Sequence, residues 1–172
     1  MSLRGQYRST AAAAQTASFL MVRLGPIFCA LPSQGVRGVL TRQEAGSGQT
    51  VTAVGITYYD VDLAGRLSAA LELEQSDVRT VLYSNGNTHG AIRVEEVIGM
   101  IEVEREQCRP LPPHFRQDER NWISGTTFFR EHLALILNPE WVLRELGEEI
   151  SVGAERVRPT AISQSALDGE PC

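Results

Sequence analysis

Lysine is absent from this chain: all 16 basic residues are arginine, set against 21 Asp and Glu for a net charge of −5 over 172 residues. That balance offers no cationic footprint to a polyanion, so nucleic acid is excluded as a partner. Without lysine there is also no phosphate loop, and GNTHG at 86–90 lacks the following helix that phosphate cradling needs. Cysteine is scarce and odd in number. Cys29 sits in an apolar stretch, Cys108 beside a proline-rich turn and Cys172 at the end, which is no disulfide framework and reads as a reducing compartment.

Long apolar runs are missing too. No stretch approaches the ~18 residues of a membrane span, and Gln15, Thr16, Ser18 and Arg23 interrupt the one candidate for a secretory leader at 11–24. A cytoplasmic protein without membrane insertion is expected. Histidine is sparse: His89, His114 and His132 fall in predicted turns and loops, no two at ligand spacing on a helix, so neither a metal nor a cofactor is expected.

What is present is ordinary globular composition, 42% hydrophobic and 22% charged, in a length that suits one domain able to bury its own core. Residues 1–17 are small and polar without a core pattern, and 148–172 mix charge, Gly, Ser and Pro. A mobile N-terminal segment and a disordered tail are expected to flank a domain at 18–147. Inside it the pattern predicts strands at about 19–24, 27–31, 36–42 and 51–61. Asp62 then caps a helical spacing of Leu63, Leu67 and Leu71. Asn85-Gly86 predicts a hairpin joining VRTVLYS to AIRVEEVIGMIEVE. Residues 108–121 read as a loop, followed by strands at about 122–129 and 132–137. Asn138, Pro139 and Glu140 start a helix in which Val142 and Leu146 share a face. A mainly β chain of short strands with two short helices suits small antiparallel barrels.

Candidate chemistry is thin. Cys29 lies inside PIFCALP, where a thiol is normally inert core. Glu95, Glu96, Glu102, Glu104 and Glu106 resemble a carboxylate site, but the acids of IEVERE alternate with Ile101 and Val103 as on a strand with one solvated face. Tyr58 and Tyr59 are adjacent on a strand and point to opposite faces, which predicts one in the core and one outside.

Four blocks in order resemble the CheW family of chemotaxis coupling proteins: FCALP with V-x-x-V-L at 28–40, GITYYDVDL at 55–63, AIRVEEVIGM at 91–100, and ISGTTFFREHLALIL at 123–137. The resemblance covers roughly residues 19–146 and implies a pair of SH3-like five-stranded barrels. It implies an adaptor, not an enzyme, whose partners are a methyl-accepting chemoreceptor's cytoplasmic domain and a CheA-type histidine kinase or another CheW-like protein. By residue-to-residue match, Val36, Val39, Ile98 and Met100 are expected to line a receptor-binding groove, with Val36 and Ile98 on facing walls, and Gly55, Tyr58 and Tyr59 a kinase-facing surface. The segment between Leu40 and Gly55 is about eight residues shorter than the family's, and no arginine matches its N-L-R-G turn. An accessory adaptor with reduced kinase binding is therefore the first reading, and a standard receptor-to-kinase coupler the second. A small hydrolase or transferase using Cys29 or a glutamate is the reading from another class.

Overall fold

The computed structural model describes residues 15–67, 69, 78–117 and 119–144. The expected mobile segment, apart from residues 15–17, and the expected tail at 148–172 lie outside them. Strands β1 (Thr16–Leu24), β2 (Ile27–Pro32), β8 (Glu96–Glu104), β9 (Ile123–Phe129) and β10 (His132–Leu137) form one five-stranded sheet in the order β8-β1-β2-β10-β9. Strands β3 (Val36–Thr41), β4 (Thr50–Ala53), β5 (Ile56–Val61), β6 (Arg79–Asn85) and β7 (Thr88–Val94) form the second in the order β3-β6-β7-β5-β4. Each sheet curls into an SH3-like barrel, barrel 1 and barrel 2 respectively, the mainly β fold that the resemblance implies.

The two barrels have the same pairing pattern, including one parallel pair each, β2 with β10 and β7 with β5. Their connectivity differs by a permutation. Barrel 2 is continuous from β3 to β7, whereas barrel 1 takes β8, β9 and β10 in the roles of β3, β4 and β5 and the earlier β1 and β2 in those of β6 and β7. In each parallel pair one strand, β5 or β10, leads into a capped helix. Asp62 accepts from Gly65 N at 2.9 Å to start α2 (Leu63–Arg66), and Asn138 Oδ1 accepts from Glu140 N at 3.1 Å to start the helical residues 139–144. Of the positions expected on those helices, Leu71 and Leu146 lie outside the described residues.

Strands that are apolar on both faces explain why two barrels share one molecule. In β1, Phe19 and Met21 point into barrel 1, while Leu20, Val22 and Leu24 point into a cluster between the barrels. In β6, Leu82 fills barrel 2, while Val81 and Tyr83 join that same cluster, with Cys29, Leu31, Val61, Ile92, Val94, Leu137, Val142 and Leu143. Alternation thus serves two cores instead of a core and a solvent face.

Several expected elements divide where the apolar pattern runs on without a break. The predicted strand at 51–61 is the hairpin β4–β5, turned by Val54 and Gly55 at φ 50° and 77°. The predicted strand through AIRVEEVIGMIEVE leaves barrel 2 as β7 and enters barrel 1 as β8, with the break at Glu95. Thr41 and Glu44 form a capping box that opens the unexpected helix α1 (Arg42–Ala45). The proline-rich loop ends in a helical turn, α3 (Glu119–Trp122).

Glu95 corrects the reading of the acidic series. Instead of facing solvent it is buried at the crossover, 2.7 Å from Arg23 Nη1, accepting from Gly25 N at 2.9 Å, while its own N–H donates to Arg23 O at 3.0 Å. Glu96 holds the other side of the same guanidinium at 2.9 Å, and these two carboxylates, Glu96 first, raise the arginine's pKa above its ordinary value. Replacing Arg23 by Ala leaves a buried carboxylate without its counter-ion, so a urea melt is expected to show a loss of roughly 2 kcal/mol, against under about 0.5 for Arg130→Ala on the surface.

Cys29 is fully buried in the inter-barrel cluster, and burial pushes its thiol up to about 12. Iodoacetamide at about pH 8.5 should therefore modify the half-buried Cys108 and spare Cys29 until the chain is unfolded. Cys29→Ala should cost on the order of 1 kcal/mol. Native-state alkylation of Cys29, followed by peptide mass spectrometry, would contradict its role as core.

Candidate docking surface

β3 and β8 occupy equivalent edges of the two sheets, and each carries a β-bulge. In β3 the register shifts between Val36, which pairs with Tyr83, and Gly38, which pairs with Leu82. Without the bulge, residues three apart would point to opposite faces; with it, Val36 and Val39 both face the inter-barrel cluster, because their partners Tyr83 and Val81 belong to it. In β8 the extra residue is Ile98. Val97 pairs with Val22 and Met100 with Leu20, so these two, again three apart, face the same cluster.

The result is an apolar rim on that shared core. Val36 and Val97 are half-buried against it, while Val39 is 40% and Met100 56% exposed. Of the four residues expected in the groove, Val36, Val39 and Met100 fall on this face. Ile98 does not: as the bulged residue it turns into barrel 1's own core beside Met21, and Val97 stands in its place. A signal in the sequence could have found this. VRGV at 36–39 and VIGM at 97–100 are the same V-x-G-apolar pattern, and a glycine inside a strand marks a bulge; Gly99 takes φ 142°, which side chains rarely adopt.

Links between the barrels hold the rim in place. Tyr83 donates its hydroxyl to Pro32 O at 2.9 Å, and burial is the main cause of its pKa, pushed up to about 12. On the opposite flank Arg66 of α2 donates to Val142 O at 3.0 Å and lies 5.0 Å over Trp141, which stacks on Trp122 at 4.8 Å. One element of barrel 2 is thereby fastened to the helix that follows barrel 1.

The expected kinase-facing residues separate. Tyr58 is 3% exposed in barrel 2's interior, edge-on to His89, so it is on no surface; Tyr59 is exposed on the outer face and Gly55 is at the β4–β5 tip beside fully exposed Val54. The three histidines sit on different elements. His89 lies in β7, not in the turn, 2.8 Å from Ser84 Oγ; His132 opens β10 and stacks on Phe28, and His114 stacks on Phe115. Among the described residues no three His, Cys, Asp or Glu side chains gather as for a metal, and no helix is long and apolar enough to cross a membrane.

The model of the CheW-like domain family matches residues 18–147. No curated protein sequence matches. Among solved structures, the crystal structure of the scaffolding protein TtCheW from Thermoanaerobacter tengcongensis is similar with a TM-score of 0.64 at 14% identity, over 77% of this chain and 90% of that one. With the family model spanning both barrels and the bulged edges between them, the chain belongs to the CheW-like domain family.

Proposed function

We propose that the protein is a non-enzymatic chemotaxis-type signalling adaptor, cytoplasmic and recruited to receptor arrays, in which a domain at 18–147 docks the helical cytoplasmic tip of a methyl-accepting chemoreceptor. The observation that carries this is the rim of Val36, Val39, Val97 and Met100, which continues a buried core out to the surface along two bulged edges. An amphipathic helix laid on such a rim extends the core by its own apolar stripe. Catalysis finds less support, since Cys29 is sealed in the core and Ser84, whose hydroxyl meets His89, is itself buried.

Val39 and Met100 give the cleanest test because both are exposed, so a charge there spares the fold yet is desolvated without a partner when a helix docks, at a cost of several kcal/mol. Val39→Glu or Met100→Glu should abolish co-sedimentation with a receptor-tip fragment, whereas Glu131→Arg on the β9–β10 turn should not. Unchanged binding in both rim variants would move the interface elsewhere. Ile98→Glu, by contrast, is expected to lower the melting temperature, because it places a charge in barrel 1.

Kinase coupling is proposed to be weak. The β3–β4 connection is spanned by only a one-turn helix and a short loop, and the β4–β5 tip presents Val54 before Gly55, where the family's N-L-R-G turn has arginine. Gly55 and Tyr59 remain the surface for such a contact, or for another CheW-like protein. Titration against a kinase's CheW-like domain should show no binding tighter than ~100 μM; a micromolar constant would restore the standard coupler.

A further inference from the structure

Barrel 1 closes its seam on one rung. Arg109 and Thr126 exchange both backbone hydrogen bonds at 2.8 Å, joining the chain after β8 to the free edge of β9. The antiparallel register set by that rung would place Gln107 opposite Phe128. Residues Arg105–Gln107 form a 3₁₀ turn instead, so the ladder stops and the seam gapes. A cavity of about 380 Å³ fills the gap, lined by Glu104, Glu106, Gln107, Arg109, Thr127 and Phe128.

We propose that this gap receives an arginine side chain presented by an extended segment of a partner protein. Two carboxylates against one guanidinium leave the lining net negative by one, and among the described residues neither Glu104 nor Glu106 forms an ion pair. A planar guanidinium can bridge two carboxylates with its fork while stacking on an aromatic face, and a lysine ammonium cannot. Phe128 supplies the face and is 64% exposed. Thr127, whose side chain is on the other face of β9 from Phe128, borders the gap; the residue is 1% exposed and its Oγ1 has no hydrogen-bond partner among the described residues. The partner's backbone has a place as well. Because Thr126 turns its N–H and C=O to the seam, alternation turns those of Phe128 the same way, and among the described residues no strand pairs with that edge beyond the rung. The site stands whether or not a receptor docks on the rim.

The test uses the full chain and a blocked peptide, acetyl-Val-Arg-Val-amide, against its citrulline and lysine counterparts. Amide shifts at 127–129 should saturate with a Kd on the order of 1 mM or tighter, and both counterparts should bind at least tenfold more weakly. Glu104→Gln with Glu106→Gln, and separately Phe128→Ala, should each weaken binding about tenfold or more, while Glu102→Gln on the same strand leaves it unchanged. Equal affinity for the citrulline peptide, no shift at 127–129, or no loss in the double variant overturns the proposal. Gln15 accepts from Arg105 N beside the gap, and the chain before it carries Arg4 and Arg8. Binding that appears only after removal of residues 1–14 would assign the gap to this chain's own arginines and likewise overturn it.

Discussion

Burial of one apolar cluster by two sheets is the constraint on which the other features depend. Each barrel is too small to need every apolar residue of its strands inside itself, and the surplus, alternating with the interior set, must be covered by the other barrel. Leu20, Val22 and Leu24 therefore call for Val81, Tyr83, Ile92 and Val94, and neither set can be solvated without the other. The crossover at Glu95, the hydroxyl of Tyr83 on Pro32 and the guanidinium of Arg66 on Val142 sit around this cluster and fix its orientation more than its existence.

The docking proposed above follows from where that cluster meets water. A shared core between two curled sheets cannot be closed at every edge by the sheets themselves. The bulged strands β3 and β8 bring its margin outward at Val39 and Met100. Packing also claims two residues expected to act otherwise: the thiol of Cys29 fills space between the barrels, and Tyr58, expected at a kinase-facing surface, packs on His89 inside barrel 2.

Much of this was legible in the residues, and the failures share a cause. Strand content, the β6–β7 hairpin (turned at Gly86-Asn87, one residue later than the expected Asn85-Gly86), the caps at Asp62 and Asn138, and the core position of Cys29 follow from local chemistry. Register and sheet membership are not local. Nothing in apolar alternation distinguishes a strand that continues from one that changes barrels, so AIRVEEVIGMIEVE reads as a single strand and Glu95 as an exposed acid. Bulges invert parity after them, which is why Ile98, expected at the rim by residue-to-residue match to the family, is placed inside by the structure. The paired VRGV and VIGM segments carried that information as an internal repeat of four residues, too short to stand out against a β-rich background.

The permuted connectivity orders the assembly of the molecule in time. Residues 36–94 hold all of barrel 2, whereas barrel 1 cannot close until β8, β9 and β10 have followed it off the ribosome and returned to β1 and β2. Local pairing makes the contiguous barrel the earlier one to form, and the long loop that separates Thr16 from Glu104 makes the other later. During that interval the first hairpin exposes two apolar faces and two unpaired edges. Nascent chains of this topology thus pass through a stage in which their N-terminal strands are the most adhesive part of the molecule.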